Sequence, residues 1–326
     1  MGMLGYAFMG KAHSNAFRKI SYITWPPPLE LELIGIAGRD AEAVGEAARR
    51  YGWEYATTEW RDLVADERIG LFDNGGPNSL HAEWSIKALD AGKHVLCEKP
   101  FTRHPEEVDA SFDAAERNGR LLSEAFMYRH NPQTAKLAEL VRDGAIGELR
   151  LIRSAFSYGL YDLENIRLRT DVEGGALMDV GCYNVSASRL LGGEPERVWG
   201  EAWYGPSGTD WVFSGTLRFP GNVLATFDCA TALSERDELE AIGSECSLFL
   251  DDPWHCVHPV IALRRNGGVE QIELEPVDSY RLELENLCDA IRGEADLLLG
   301  REDALGQAKA LEALHRSATT AAPVSD

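Results

Sequence analysis

The sequence predicts an α/β protein in two parts. Residues 1–125 form a Rossmann-type, doubly wound parallel sheet, and residues 126–326 form an α+β domain with a large, mostly antiparallel open sheet. Three observations predict it. Short apolar runs alternate with helical patterns through the first 125 residues, as repeated βαβ units require. A small-residue turn, Gly5-Tyr6-Ala7-Phe8-Met9-Gly10, separates the first run from the first helix. Beyond residue 145 long strand patterns dominate, and Gly221-Asn222 joins two of them as a hairpin turn.

A chain of 326 residues is long enough for two domains, and its 44% apolar and 26% charged content is that of a globular protein. A formal net charge of −21 excludes nucleic acid and anionic membrane surfaces as partners, since both need a basic face. The six cysteines are scattered without a zinc-type spacing, so no metal is expected, and they read as buried thiols of a reducing compartment. No apolar run has the length of a membrane span. The first lysine, Lys11, follows the apolar residues, the reverse of a secretory signal. The expected location is cytoplasmic.

The first helix is expected from Lys11 through Ile20. Small residues at 5, 7 and 10 allow a tight turn and close backbone approach, so the backbone from Gly5 through Ala7, Phe8, Met9 and Gly10 is a candidate pyrophosphate cradle. A strand over Leu31–Ala37 follows a Pro-rich loop and ends at Gly38-Arg39-Asp40. That position meets the adenosine ribose of a bound dinucleotide. Asp40 suits a 2′-hydroxyl and Arg39 a 2′-phosphate, so the reading leans to NADP. A helix is expected over Ala41–Arg50, a strand at Leu71-Phe72-Asp73, and a helix over Leu80–Ala91 with His81 just inside it.

Val95-Leu96-Cys97 is a short buried strand that stops at Glu98-Lys99-Pro100, because proline has no N–H for a sheet ladder. Glu98 and Lys99 therefore fall at the carboxyl end of a strand, where open α/β sheets bind ligands. A lysine there can perform acid–base work. In the second part a buried helix is expected from Leu177, entered through Gly174-Gly175. On it Asp179 and Tyr183 are four residues apart and share a face. Strands over 147–157, 196–206, 210–219 and 222–231 precede closing helices over 278–292 and 302–318. The apolar residues of Val212–Leu217 should need cover, which predicts a two-fold dimer or a dimer of dimers through the outer face of the sheet.

Together these segments resemble the Gfo/Idh/MocA family of sugar and polyol oxidoreductases. The markers are Gly5–Gly10, Pro77-Asn78 with His81, and Cys97-Glu98-Lys99-Pro100. Met127-Tyr128-Arg129-His130-Asn131-Pro132 resembles the family's junction segment. Tyr183 stands where many members have histidine, as in the glucose–fructose oxidoreductase, xylose dehydrogenase and dihydrodiol dehydrogenase branch. Asn165-Ile166-Arg167-Leu168 and Asp252-Pro253-Trp254-His255 resemble the same branch, while the first half looks closer to inositol- and levoglucosan-dehydrogenase-like members. One departure is Asn74-Gly75-Gly76, which replaces the family's apolar-small-Thr and removes a hydroxyl near the cofactor.

The resemblance implies an NAD(P)-dependent dehydrogenase acting on the CH–OH group of a sugar or polyol. Gly5, Ala7, Phe8, Met9, Gly10, Arg39, Asp40, Pro77, Asn78, His81, Glu98 and Lys99 would hold the cofactor. Arg129, Arg167, Asp179 and Tyr183 would hold the substrate, and Lys99, Tyr183 and Asp179 would be catalytic. Tyr183 would be the acid or base on the reacting hydroxyl and Asp179 would orient a substrate hydroxyl. An ordinary phenol titrates near 10, and an ammonium within about 4–6 Å favours its phenolate. Glu98 would hold the nicotinamide ribose or Lys99. Two alternatives are a carbonyl or dihydrodiol-type reductase on the same site, and a cofactor-sensing regulator without catalysis.

Overall fold

A computed structural model describes residues 1–160 and 162–325. The backbone divides into two units, each with its own sheet. The first unit contains Met1–Met127 and Tyr280–Leu305, and the second contains Tyr128–Ser279 and the chain from Gly306 onward.

The first unit runs β1 (Gly2–Leu4), α1 (Phe8–Ile23), β2 (Gly35–Ala37), α2 (Ala41–Tyr51), β3 (Tyr55–Thr57), α3 (Trp60–Ala65), β4 (Leu71–Asn74), α4 (His81–Asp90), β5 (His94–Glu98), α5 (Pro105–Asn118) and β6 (Leu122–Ala125). Its six strands lie in the order β3-β2-β1-β4-β5-β6, all parallel, as a doubly wound dinucleotide fold requires. Leu4 is level with Ala37 and Asn74, and Asn74 with Cys97. Gly5, Gly38, Gly75 and Lys99 therefore follow the strands, with Glu98 ending β5, at one edge of the sheet. Met3, Ile36 and Leu96 are fully buried beneath α1 residues Ala16, Phe17 and Ile20.

The second unit runs α6 (Pro132–Arg142), β7 (Leu149–Gly159), α7 (Cys182–Gly192), β8 (Arg197–Tyr204), β9 (Asp210–Arg218), β10 (Leu224–Ala230), β11 (Ala232–Gly243), β12 (Ser247–Leu250), β13 (Val260–Arg265) and β14 (Gly268–Glu273). After α8 (Ser279–Arg292) and α9 (Arg301–Thr320), β15 (Val324–Ser325) pairs antiparallel with β8 at the sheet edge. The nine strands follow the order β14-β13-β12-β11-β7-β10-β9-β8-β15. Only β7 and β10 pair in parallel; the β9–β10 hairpin closes as its Gly-Asn turn predicts.

Two features differ from the sequence reading. The first is the carboxy-terminal segment: Leu284 and Leu287 of α8 are buried in the core of the first unit. The amphipathic face of α8 thus completes the cover of the parallel sheet. The second is the Val212–Leu217 strand. Phe213 and Leu217 are buried on the face that the second unit's own helices cover, whereas Ser214 and Thr216 are exposed. The apolar register of this strand is satisfied within its own unit, so it provides no argument for a dimer. The outer face instead carries Arg153, Asp228, Arg236, Glu240 and Arg264 around a cavity of about 420 Å³, with Trp199, Trp203 and Leu224 exposed along β8 and β10. No helix among the described residues is long and apolar enough to cross a membrane.

The place of α8 is open to test. Leu287→Ala should cost about 2–5 kcal/mol in urea unfolding, the range for a buried leucine. Amide exchange should rise in β1–β6; a rise confined to the nine-stranded sheet would contradict this assignment.

Candidate active site

The edge of the parallel sheet is shaped for an anion. Gly5 has φ +103°, a conformation that L side chains rarely adopt, and its amide donates to Ala37 O at 2.9 Å. A Cβ on Gly10 would lie 2.3 Å from the Gly5 carbonyl oxygen, so only glycine lets α1 start this close to β1. Among the described residues no side chain caps the α1 N-terminus at Ala7, and its first turn contains no acid. The N–H groups there keep their positive end for a ligand. Phe8 is exposed and Met9 half-buried beside this turn. These features fit a dinucleotide pyrophosphate. Arg39 is exposed at the end of β2, while Asp40 takes a structural role as N-cap of α2, accepting from Ala43 N at 2.9 Å.

The β4–α4 turn is held internally. Asn74 is buried; its amide donates to His81 O and Ser85 Oγ, both at 3.1 Å, and its Oδ1 accepts from Gly76 N at 3.2 Å. The asparagine thereby ties together the Asn74-Gly75-Gly76 turn that replaces the family's apolar-small-Thr. Pro77 and Asn78 are half-buried and lead into α4. His81 is fully buried, with Nδ1 2.9 Å from Pro100 O and Nε2 2.9 Å from Gly76 O. Burial outweighs both carbonyls and lowers its pKa, so the ring carries one proton and donates to one carbonyl at a time. Both ring nitrogens face the protein's own backbone, which makes His81 a tie between the Gly76 turn and Pro100. Its place in the sequence predicts a cofactor contact; in the structure the ring is buried against the turn it supports.

Glu98 ends β5 almost fully buried, and Lys99 follows half-buried, joined to Pro100 by a cis peptide bond. Glu98 Oε2 accepts from the Lys99 backbone N–H at 3.2 Å, and Oε1 lies 3.2 Å from His13 Nε2. Burial favours the neutral acid, but the close approach and charge of His13, with the charge of Lys99, hold Glu98 below the usual carboxylate range. Sequence reasoning missed His13. Its signal was a polar residue on the same buried face of α1 as Ala16, Phe17 and Ile20.

In the second unit the helix expected from Leu177 begins instead as a π-helical turn, Leu177–Gly181, which passes into α7. Asp179 lies in the wide turn and Tyr183 in the first turn of α7, so the α-helical four-residue stacking does not apply across the junction. Both Asp179 oxygens are engaged. Oδ1 accepts from Arg167 Nε at 3.1 Å and Oδ2 from the Tyr158 hydroxyl. Burial, then the charge of Asp179, pushes the Tyr158 phenol up, so it stays protonated as a donor.

Tyr183 is 6% exposed, with ring centroids of Phe156, Tyr128 and Trp254 at 5.4, 5.6 and 5.9 Å. Trp254 is fully buried and donates to Ala155 O at 3.0 Å, and Tyr128 donates to Ser186 Oγ at 2.8 Å. Arg129 Nη1 donates to the same hydroxyl at 3.2 Å. The structure thus joins three separate sequence motifs, at 127–132, 179–183 and 252–255, around one phenol. His255 sits beside them with Nδ1 2.6 Å from Asp237 Oδ2, and Asp252 accepts from the amides of Cys256, Val257 and His258.

Asp210 explains the Gly174-Gly175 turn. Its Oδ2 accepts from Leu177 N at 2.7 Å, and a Cβ on Gly175, whose φ is +127°, would lie 1.9 Å from its Oδ1. The carboxyl group is turned against the backbone of the π-turn although the residue as a whole is half-buried. Burial pushes its pKa up to about 7 against the Leu177 and Ala176 amides.

Residues 1–126 match the oxidoreductase family with an NAD-binding Rossmann fold, and residues 134–249 match the GFO/IDH/MocA C-terminal domain. The chain is 34% identical over 301 residues to D-xylose 1-dehydrogenase (NADP(+)) 2 of Haloferax volcanii, spanning 90% of this chain and 92% of that one. A levoglucosan dehydrogenase solved with NADH and levoglucosan has a TM-score of 0.90 at 26% identity, over 99% of this chain and 98% of that one. A 3-ketoreductase from Actinomadura kijaniata, solved with NADP and TDP-benzene, has a TM-score of 0.89 at 27% identity, over 97% of this chain and 96% of that one. The fold and these matches define an NAD(P)-dependent oxidoreductase. The chain belongs to the Gfo/Idh/MocA family.

The raised pKa of Asp210 gives a signed prediction. A carboxyl whose folded value exceeds its ordinary 3.8 favours folding at low pH, and that contribution is lost as pH rises through about 7. The Tm of the wild type should therefore fall relative to that of Asp210→Asn, which keeps an acceptor oxygen, across this interval. Parallel curves would refute the assignment.

Proposed function

We propose that this protein transfers a hydride between a CH–OH carbon of a sugar or polyol and NAD(P), with Tyr183 as acid or base assisted by Lys99. The observation that carries the reading is the rigid placement of two complementary groups around the π-turn. The Tyr183 ring is fixed by three aromatic neighbours, and the Asp179 carboxylate is fixed by Tyr158 and Arg167. The sugar dehydrogenases among its relatives support the substrate class.

In the oxidising direction the Tyr183 oxygen takes the carbinol proton, while Asp179, oriented by Arg167, accepts from a neighbouring substrate hydroxyl. Arg129 completes the substrate contacts. The bound nicotinamide supplies the hydride acceptor. The Lys99 ammonium favours the phenolate. In the reducing direction the same oxygen returns the proton, and the 3-ketoreductase relative keeps that direction in view. Gly5, Ala7, Phe8, Met9 and Gly10 hold the pyrophosphate through backbone N–H groups, and Arg39 approaches the adenosine ribose. Pro77 and Asn78 would help hold the cofactor, Glu98 would accept from the nicotinamide ribose, and His81 would act through Pro100. We also propose a homodimer or homotetramer in the cytoplasm, formed through the outer sheet face on which Trp199, Trp203 and Leu224 are exposed. Light scattering showing a monomer at micromolar concentration would refute the assembly.

Fluorescence titration with NADH and NADPH, followed by a panel of aldoses, inositols and anhydrosugars, tests the function; tight cofactor binding without turnover would favour a regulator. Lys99→Met and Tyr183→Phe should each cut turnover about 10²–10⁴-fold, the usual contribution of general acid–base catalysis. Cofactor affinity should change far less. The double variant should lose little more than either single one, as for residues acting as a unit; additive losses would exclude activation of the phenol by Lys99. Arg39→Ala should weaken NADPH more than NADH through loss of charge-assisted hydrogen bonds, and equal effects would remove the lean to NADP.

A further inference from the structure

Behind the Glu98-Lys99 turn, the first unit buries a group of ionisable side chains that the proposed chemistry does not use. His13 on α1 is 0% exposed. Its Nδ1 lies 2.7 Å from Asp73 Oδ2 on β4, and its Nε2 lies 3.2 Å from Glu98 Oε1 on β5. Glu283 faces the same group from α8, where Tyr280 sets its ring 5.6 Å from the imidazole. Asp73 and Glu283 are as completely enclosed as His13. Three carboxyl groups and one imidazole thus share a space where an unpaired charge is costly.

The protonation pattern follows from their placement. Burial opposes a charge on His13, but the charge and hydrogen bond of Asp73, reinforced by Glu98, outweigh it and hold the ring protonated. Burial raises Asp73, with His13 pulling it back. Burial raises Glu283 well above the carboxylate range, against the pull of His13, and so favours its neutral form. The contact between His13 Nε2 and Glu98 Oε1 is close but lacks the alignment of a formed hydrogen bond. Among the described residues, Asp73 Oδ1 and both Glu283 oxygens likewise have no hydrogen-bond partner.

We propose that His13, anchored by Asp73, is the positioning residue of the Glu98-Lys99 turn, holding Glu98 Oε1 inward so that the strand end keeps one aspect toward the cofactor. The proposal rests on the functional reading above, in which Glu98 and Lys99 serve the cofactor and the reacting hydroxyl. His13 itself touches neither. The groups facing it are Asp73 from β4, Glu98 from β5, and Glu283 and the Tyr280 ring from α8. Because the His13 pKa is raised, its contribution is complete below the ordinary 6.5 and is lost only as pH rises through the folded value, well above it. The turn is therefore held throughout the neutral range.

The test combines histidine side-chain NMR with cofactor titrations on the full chain, His13 being assigned by its absence in His13→Gln. In the wild type His13 should remain doubly protonated at pH 8, and its resonances should shift on adding NADH or NADPH. His13→Gln should raise the Kd of the cofactor about tenfold, with an unchanged circular dichroism spectrum. Asp73→Asn removes the anchor and keeps the shape. It should bring His13 titration toward neutral pH and make cofactor Kd rise with pH, a dependence absent from the wild type. If His13→Gln does not fold, the wild-type titration and Asp73→Asn decide the matter. A cofactor-binding wild type with neutral His13 at pH 7 overturns this proposal alone, as does a folded His13→Gln with unchanged Kd. A wild type that binds neither cofactor overturns the functional reading and this proposal with it.

Discussion

The close approach of α1 to the end of β1 is the constraint on which the first unit depends. With only 2.3 Å available for a Cβ at Gly10, the helix N-terminus is set directly over the strand end. Its uncapped N–H groups then face the edge where β4 and β5 also terminate. A parallel sheet aligns all its carboxyl ends, so one tight turn fixes the level at which Asn74, Glu98 and Lys99 present themselves. The first turn of α1 keeps its polarity for an anionic group because it contains neither a capping side chain nor an acid among the described residues.

The second unit solves a different problem, the aiming of a phenol and a carboxylate. Asp210 fills the space that a side chain at Gly175 would need and takes the Leu177 amide. The backbone enters a π-turn there, and Asp179 leaves it toward Tyr158 and Arg167 while Tyr183 is packed among aromatic rings. A carboxyl group inside a backbone turn is an expensive fastening, and burial accordingly raises its pKa to about 7. The two units thus place their ionisable groups by opposite means. One leaves a helix end uncapped, and the other spends a buried carboxyl on a loop.

Buried polar groups also account for residues that look out of place in the sequence. Asn74 stands where an apolar residue was expected, yet its amide satisfies His81 O, Ser85 Oγ and Gly76 N together. His81 shares the ligand edge but gives both nitrogens to backbone carbonyls. Position on a sheet edge is therefore not enough to make a side chain a ligand contact; burial and hydrogen-bond capacity decide between contact and support.

The sequence by itself determined the class of fold, the parallel and antiparallel sheets and the places of the Gly5–Gly10 and Glu98-Lys99-Pro100 motifs. These rest on local signals: hydrophobic period, glycine and proline punctuation, and turn chemistry act within a few residues of chain. Tertiary structure alone decided which distant groups satisfy the buried charges and rings. Asp73 reaches His13 across 60 residues, Asp210 reaches Leu177 across 33, and Trp254 reaches Ala155 across 99. Likewise, Leu284 and Leu287 join the first unit from the far end of the chain, and the apolar side of Val212–Leu217 turns inward. Periodicity tells which residues share a face, but only the packed chain settles what that face meets, because the free energy of burial belongs to pairs of surfaces and not to either one alone.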